Sequence, residues 1–139
     1  MINVIEVIIK LDILNLKNLI SCARGEIPSD LLVRNGTLIN TITREVYKAD
    51  VAIYNNRIAN VSEPGVLNPA NTKRILDVTG KFISPGFIES HLHIESTMLP
   101  PIEFAKLVCM NGTSTVLLDP HEIGNALGIQ GLELLIDQT

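Results

Sequence analysis

The sequence predicts an α/β chain in two parts, a small β-sandwich or sheet followed by a βαβα run with parallel strands. Three observations carry this. Residues 30–84 hold short β-branched and apolar runs separated by Asn-Gly, Asn-Asn and lone Gly positions, the pattern of strands joined by tight turns. From Pro85 onward, extended and helical patterns alternate with short joints, so neighbouring strands run parallel because a helix lies between them. Hydrophobic residues make up 46% of the 139 positions and mean hydropathy is +0.30, which suits elements buried on more than one side.

The elements follow in order. Residues 1–29 form an N-terminal helical segment: Ile13, Leu16, Leu19 and Ile20 share one helical face, and Gly25 stops the helix. Its apolar run is interrupted by Glu6, Lys10, Asp12 and Lys17, so it lacks the roughly 18 continuous apolar residues of a spanning helix. It also lacks the basic start of a signal peptide, its first charge being Glu6. Residues 30–84 are the small β-domain. "DLLVRNGTLINT" is a strand, an Asn-Gly turn and a second strand; "YKADVAIYNNRIANVSE" repeats the scheme around "NNR", with Val51 and Ile53 facing one way. "EPGVLNPAN" is a loop, and "RILDVTGKFIS" gives two short extended pieces broken at Gly80. Residues 85–139 begin the second part. "FIESHLHI" is a strand, "PPIEFAKLVCMNG" a helix opened by proline and closed by Gly112, "TSTVLLDP" a second strand, and "LGIQGLELLIDQT" a further helix. Cys109 is expected to be buried in its helix, and Met98 and Met110 to pack.

Composition narrows the function. Net charge is −4, with no Lys/Arg stripe and aromatics at 4%, so nothing supports a nucleic-acid partner; nothing supports a membrane either. Cys22 and Cys109 make neither a disulfide framework nor a CxxC motif, and a reducing cytoplasm is the simplest compartment.

The chemistry concentrates in "ESHLHIEST" and "LLDPHEIGN", which hold all three histidines of the chain. Strand side chains alternate faces, so Glu89, His91, His93 and Glu95 project to one side and Ile88, Ser90, Leu92 and Ile94 to the other. Two imidazoles two residues apart on one strand face suit a single metal ion, with zinc, iron and manganese all acceptable. His121 lies just past the next strand beside Asp119 and Glu122. Chemistry in βα units gathers at the C-terminal ends of strands, where all these residues fall. Each motif alone has a plainer reading: an HxH pair as ordinary polar strand-end residues, and "DPHEIGN" as a loop in which Asp119 or Glu122 serves a helix N-terminus.

"PGFIESHLHIEST" resembles the metal-binding start of the amidohydrolase superfamily. "HIEST" followed by "FAKLVCMNGTSTVLLDPHEIGNALG" is similar to the adenine deaminase branch, and "ARGEIPSDLLVRNGTLINTITREVYKADVAIYNNRIANV" to that family's N-terminal β-domain. The resemblance implies a small composite β-sandwich beside a (β/α)8 TIM-type barrel, of which this chain holds the first two βα units. It implies metal-dependent hydrolysis of adenine to hypoxanthine and ammonia, in purine salvage. His91, His93 and His121 would be metal ligands, Asp119 and Glu122 catalytic carboxylates, and Glu89, Glu95 and Ser96 residues lining the substrate site. The cofactor would be manganese, iron or zinc, binuclear in a complete enzyme, lowering the pKa of a bound water toward neutrality.

Departures from the family pattern bear on activity. Glu89 stands where the family has Asp, Asn111 where histidine is common, and Ser114 where threonine is usual. A (β/α)8 barrel takes roughly 250 residues; the later ligands and catalytic aspartate have no counterpart here. Three readings follow: an adenine deaminase portion that needs a complementing C-terminal polypeptide or a homo-oligomer, a catalytically silent truncated fragment, or a hydantoinase- or dihydroorotase-type relative.

Overall fold

The computed structural model describes the backbone of residues 4–138 and the side chains of residues 13–138. Two compact units divide between Ser84 and Pro85. The first consists of helix α1 (Val4–Ala23) and strands β1 (Leu31–Asn40), β2 (Glu45–Tyr54), β3 (Arg57–Ser62), β4 (Ile75–Asp77) and β5 (Phe82–Ile83). The second runs β6 (Phe87–Leu92), α2 (Pro101–Met110), β7 (Thr113–Leu118), α3 (His121–Leu127) and α4 (Ile129–Ile136).

In the first unit all five strands join one mixed sheet, ordered β3-β2-β1-β4 with β5 also on β1. A single sheet replaces the expected sandwich among the described residues. The reason lies in β1. "RNG" was expected to reverse the chain, yet β1 continues through it as a bulge: Val33 pairs with Val51 and Gly36 with Ala49, leaving Arg34 and Asn35 opposite Asp50 alone. Asn35 takes the left-handed conformation, φ 62°, which both a tight turn and a bulge accommodate. Fully buried Asp50 selects the bulge: its carboxylate accepts from the Asn35 N–H at 2.8 Å and the Gly65 N–H at 2.9 Å. Beyond the bulge β1 exchanges partners. Its first half pairs in parallel with β4 and its second half with β5, while Val78–Lys81 detours around the bulge between them.

The turn expected at "NNR" is a two-residue hairpin, Asn55-Asn56, joining β2 to β3 with both residues at positive φ, 47° and 59°, and Arg57 already paired in β3. On β2, Ala49, Asp50, Val51 and Ala52 are buried in succession, so both faces of this strand are covered. Helix α1 lies against β3, and its C-terminus is tied there by Asn60 Nδ2 donating to the Ala23 carbonyl at 2.7 Å. The expected apolar face packs in part: Leu19 is half-buried and lines a groove with Leu16, Tyr54 and Arg57, and Cys22, one turn beyond Leu19, is buried, while Ile13, Leu16 and Ile20 stay about half exposed. Glu6, Lys10 and Asp12 have side chains outside the described residues.

In the second unit β6 and β7 pair in parallel, and α2 packs over β7 around an apolar groove of about 210 Å³ lined by Ile94, Phe104, Val108 and Val116 among others. The β6 strand is shorter than "FIESHLHI" suggests. It ends at Leu92 and turns into a 3-10 helix, Ile94–Thr97, because Ile94 buries itself and Met98 closes the turn at φ 58°. "DPHEIGN" is not a loop: α3 begins at His121, and Gly128, at φ 62°, ψ −146°, separates it from α4. The C-terminal helix expected in "LGIQGLELLIDQT" is α4, which contacts the additional helix α3 before it; Leu135 is buried and Ile136 exposed. Cys109, Met98 and Met110 are exposed rather than packed; Cys109 lines the rim of the groove that Phe104, Ala105 and Val108 form with β7, while Met110 lies outside it. Among the described residues no helix is long and apolar enough to cross a membrane.

Candidate metal centre

Two hydrogen-bonded links join the end of β6 to the end of β7. The Asp119 N–H donates to the Leu92 carbonyl at 2.9 Å, extending the ladder past both strands. His93 Nδ1 lies 2.8 Å from the Asp119 carbonyl oxygen. A carbonyl only accepts, so Nδ1 carries a proton, and in the neutral ring Nε2 is then the nitrogen with a free lone pair. That is the pattern of a ligating histidine whose second nitrogen is fixed by the backbone.

Side chains converge on the same place. His91 Nε2 is 3.5 Å from Asp119 Oδ2, and His121 Nδ1 is 3.4 Å from that same oxygen. The His91 and His93 rings meet edge to face with centroids 4.8 Å apart, and the His93 and His121 rings at 4.5 Å. One ligand atom from each of His91, His93 and Asp119 falls within 4.8 Å of the other two. Two imidazoles and a carboxylate at that spacing fit a divalent transition ion. Asp119, expected as a catalytic carboxylate, thus sits among the ligand-capable atoms, and His121 stands next to them on the first residue of α3.

Electrostatics favour charged carboxylates here. Desolvation opposes the Asp119 charge, but a hydrogen bond and charge from His121, with further help from His93 and His91, hold its carboxyl below the ordinary range. Desolvation likewise opposes Glu95, and backbone hydrogen bonds with the charges of His93 and His121 bring it below its ordinary value.

The remaining predicted residues divide. Ser96 Oγ donates to Glu122 Oε1 at 3.0 Å, and Glu95 Oε1 accepts from the Ile123 N–H at 3.1 Å. Glu89 is engaged locally: its Oε1 accepts from the backbone N–H of His91 at 3.1 Å. Asn111 ends α2, donating to the Leu107 carbonyl at 2.9 Å. Sequence reasoning did not find the Asp119 carbonyl as the partner of His93; a backbone group carries no residue signature, and only the parallel register brings it there.

Residues 82–139 match the model of the amidohydrolase family. The match spans the whole of the second unit. Over 126 residues the chain is 44% identical to an adenine deaminase of Kosmotoga olearia, covering 91% of this chain and 21% of that protein. Over 115 residues it is 45% identical to adenine deaminase 1 of Carboxydothermus hydrogenoformans, covering 82% and 19%. The chain thus spans about a fifth of the length of these curated relatives. Among solved structures, a D-aminoacylase complex with copper chloride superposes with a TM-score of 0.55 at 33% identity, covering 66% of this chain and 19% of that one. A second D-aminoacylase structure, described as holding a binuclear metal centre, gives 0.53 at 34% identity, covering 64% and 18%. These amidohydrolase matches accord with the mixed α/β architecture.

Proposed function

We propose that this chain supplies the first metal-binding elements of an adenine deaminase, an enzyme hydrolysing adenine to hypoxanthine and ammonia. The observation that carries the reading is the coincidence of 44% identity to an adenine deaminase across 91% of the chain with the cluster of His91, His93 and Asp119. On this reading residues 1–29 and 30–84 are a helical segment and a β-domain, and β6 and β7 are the first two strands of a (β/α)8 barrel.

His91, His93 and Asp119 would hold a divalent ion, manganese, iron or zinc, with His121 beside it. When bound, such an ion supplies a water activated for attack at neutral pH. The chain's own groups do the rest. Nδ1 of His93 stays protonated on the Asp119 carbonyl, which keeps the ring oriented. Glu122, hydrogen-bonded to Ser96, would move a proton between water and the leaving amine. Glu89 and Ser96 would line the adjoining surface. The setting that fits best is purine salvage in the cytoplasm.

The relatives' other four fifths lie outside the stretch they share with this chain. The further ligands and the purine pocket would come from such residues, in a complementing C-terminal polypeptide or another subunit. The same coverage favours a second reading, a metal-binding but catalytically silent fragment. Two measurements decide. Zinc or manganese titration of the chain should show binding that a His91→Ala, His93→Ala double variant loses; equal binding by both would remove the pair from the site. Ammonia release from adenine should be absent with the chain alone. It should appear when the chain is mixed with a polypeptide carrying the relatives' remaining length; no release from that mixture favours the silent fragment.

A further inference from the structure

The first turn of α3 carries His121 into the cluster, yet it has no cap of its own. The residue at its N-cap position is Pro120, which makes no side-chain cap bond. An uncapped helix start leaves backbone N–H groups without partners and frays. Here the partner comes from another element. Glu95, in the 3-10 turn after β6, accepts the Ile123 N–H at 3.1 Å through Oε1. Ser96, the next residue, donates to Glu122 on the same helical turn at 3.0 Å.

The turn that provides these contacts is itself fixed. Ile94 is 3% exposed, Thr97 Oγ1 donates to the Ile94 carbonyl at 2.6 Å, and Met98 N–H closes on the Glu95 carbonyl at 3.1 Å. The residue before the turn is His93, and the residues inside the α3 turn follow Asp119 and His121 directly. Two anchored segments, 93–97 and 119–123, are therefore laced together by two side chains and by the bond from His93 to the Asp119 carbonyl.

We propose that Glu95 is a positioning residue: by capping α3 from the neighbouring turn it sets where His121 stands relative to His93 and Asp119. This departs from a role lining a substrate site, because one carboxylate oxygen is committed to the helix and the other, Oε2, is buried without a hydrogen-bond partner. The inference deepens the metal-site reading, on which only its second readout rests.

The test uses the whole 139-residue chain with Glu95→Ala and Glu95→Gln. A glutamine oxygen can still accept from the Ile123 N–H; alanine cannot. In the metal-free protein, Glu95→Ala should raise hydrogen exchange at the Ile123 amide by at least about tenfold, the loss of one bond to a charged acceptor. It should also shift the ring 15N–1H signals of His121, with amides of β1 and β2 unchanged. Glu95→Gln should return both toward wild type. In the second readout, cobalt(II) absorption titration, Glu95→Ala should weaken binding about tenfold and Glu95→Gln should recover most of it. Unmoved Ile123 exchange and His121 signals in Glu95→Ala would overturn the proposal, as would a glutamine variant no better than alanine. If wild type takes up no cobalt, the metal reading fails, and the metal-free readout alone still decides the positioning role.

Discussion

Removing the Asp50 carboxylate should unlatch the first unit at one point. Asp50 has no solvent exposure, faces the two-residue bulge of β1, and accepts the Asn35 and Gly65 N–H groups at 2.8 and 2.9 Å. Arg34 Nε stands 3.9 Å away, too far for a hydrogen bond, so the two backbone donors do most of the satisfying. A hydrogen bond to a charged group is worth roughly 1.5–3 kcal/mol, and each buried donor left unpaired costs roughly 1–3. Relief of the buried charge offsets part of this, leaving Asp50→Ala at about 3 kcal/mol of destabilisation. That is a large share of the roughly 5–15 kcal/mol that stabilises a domain. Asp50→Asn tests whether shape suffices. Its amide offers one acceptor oxygen, so one backbone N–H would face an NH2 group, donor against donor; the expected loss is about 2 kcal/mol. The assay is urea unfolding followed by tyrosine fluorescence. The chain has no tryptophan, and its two tyrosines, Tyr47 and Tyr54, both lie on β2. Hydrogen exchange at Asn35 and Gly65 should accelerate more than at other amides of the unit. Variants within about 0.5 kcal/mol of wild type, the scatter of ordinary surface substitutions, would refute the reasoning.

Three further outcomes are expected. Asp30 accepts from Lys73 Nζ and from the Asn55 N–H, both at 2.7 Å, and the Lys73 bond, then the Asn55 bond, lowers its pKa. Its contribution is therefore present above the ordinary carboxylate pKa of 3.8 and lost as pH falls through the lower folded value; acid melting curves of Asp30→Asn should flatten there, and an unchanged acid slope would contradict the assignment. A Cβ on Gly131 would lie 2.7 Å from the Ile123 carbonyl oxygen and 2.9 Å from its Cγ1, so Gly131→Ala should push α4 from α3 and cost about 1–3 kcal/mol in thermal or urea unfolding. Among the described residues β7 pairs only with β6, and Phe87, Ile88 and Leu117 are more than half exposed. The chain should self-associate with concentration in sedimentation, and a monomer with β7 amides as protected as those of β2 would show the edge to be sealed.

What the sequence determined by itself was whatever depends on neighbours a few residues away. The Asn55-Asn56 hairpin follows from two residues that tolerate positive φ. The α2 helix follows from a proline opening and a glycine close, and the gathering of His91 and His93 from strand alternation. Tertiary structure decided the cases where one local signal serves two ends. Asn35-Gly36 satisfies a hairpin or a bulge equally well, and the carboxylate of Asp50, fifteen positions away, chose the bulge. "DPHEIGN" offers Asp119 and Glu122 to a helix N-terminus, but the N-cap position falls on Pro120, which makes no cap bond; the cap comes from Glu95, twenty-eight positions before Ile123. Exposure of Met110 was equally out of reach, since it depends on which side of α2 meets β7. Dihedral preference is a property of the residue, but a buried hydrogen-bonding group is satisfied by whatever the fold brings to it, and that partner has no fixed distance along the chain.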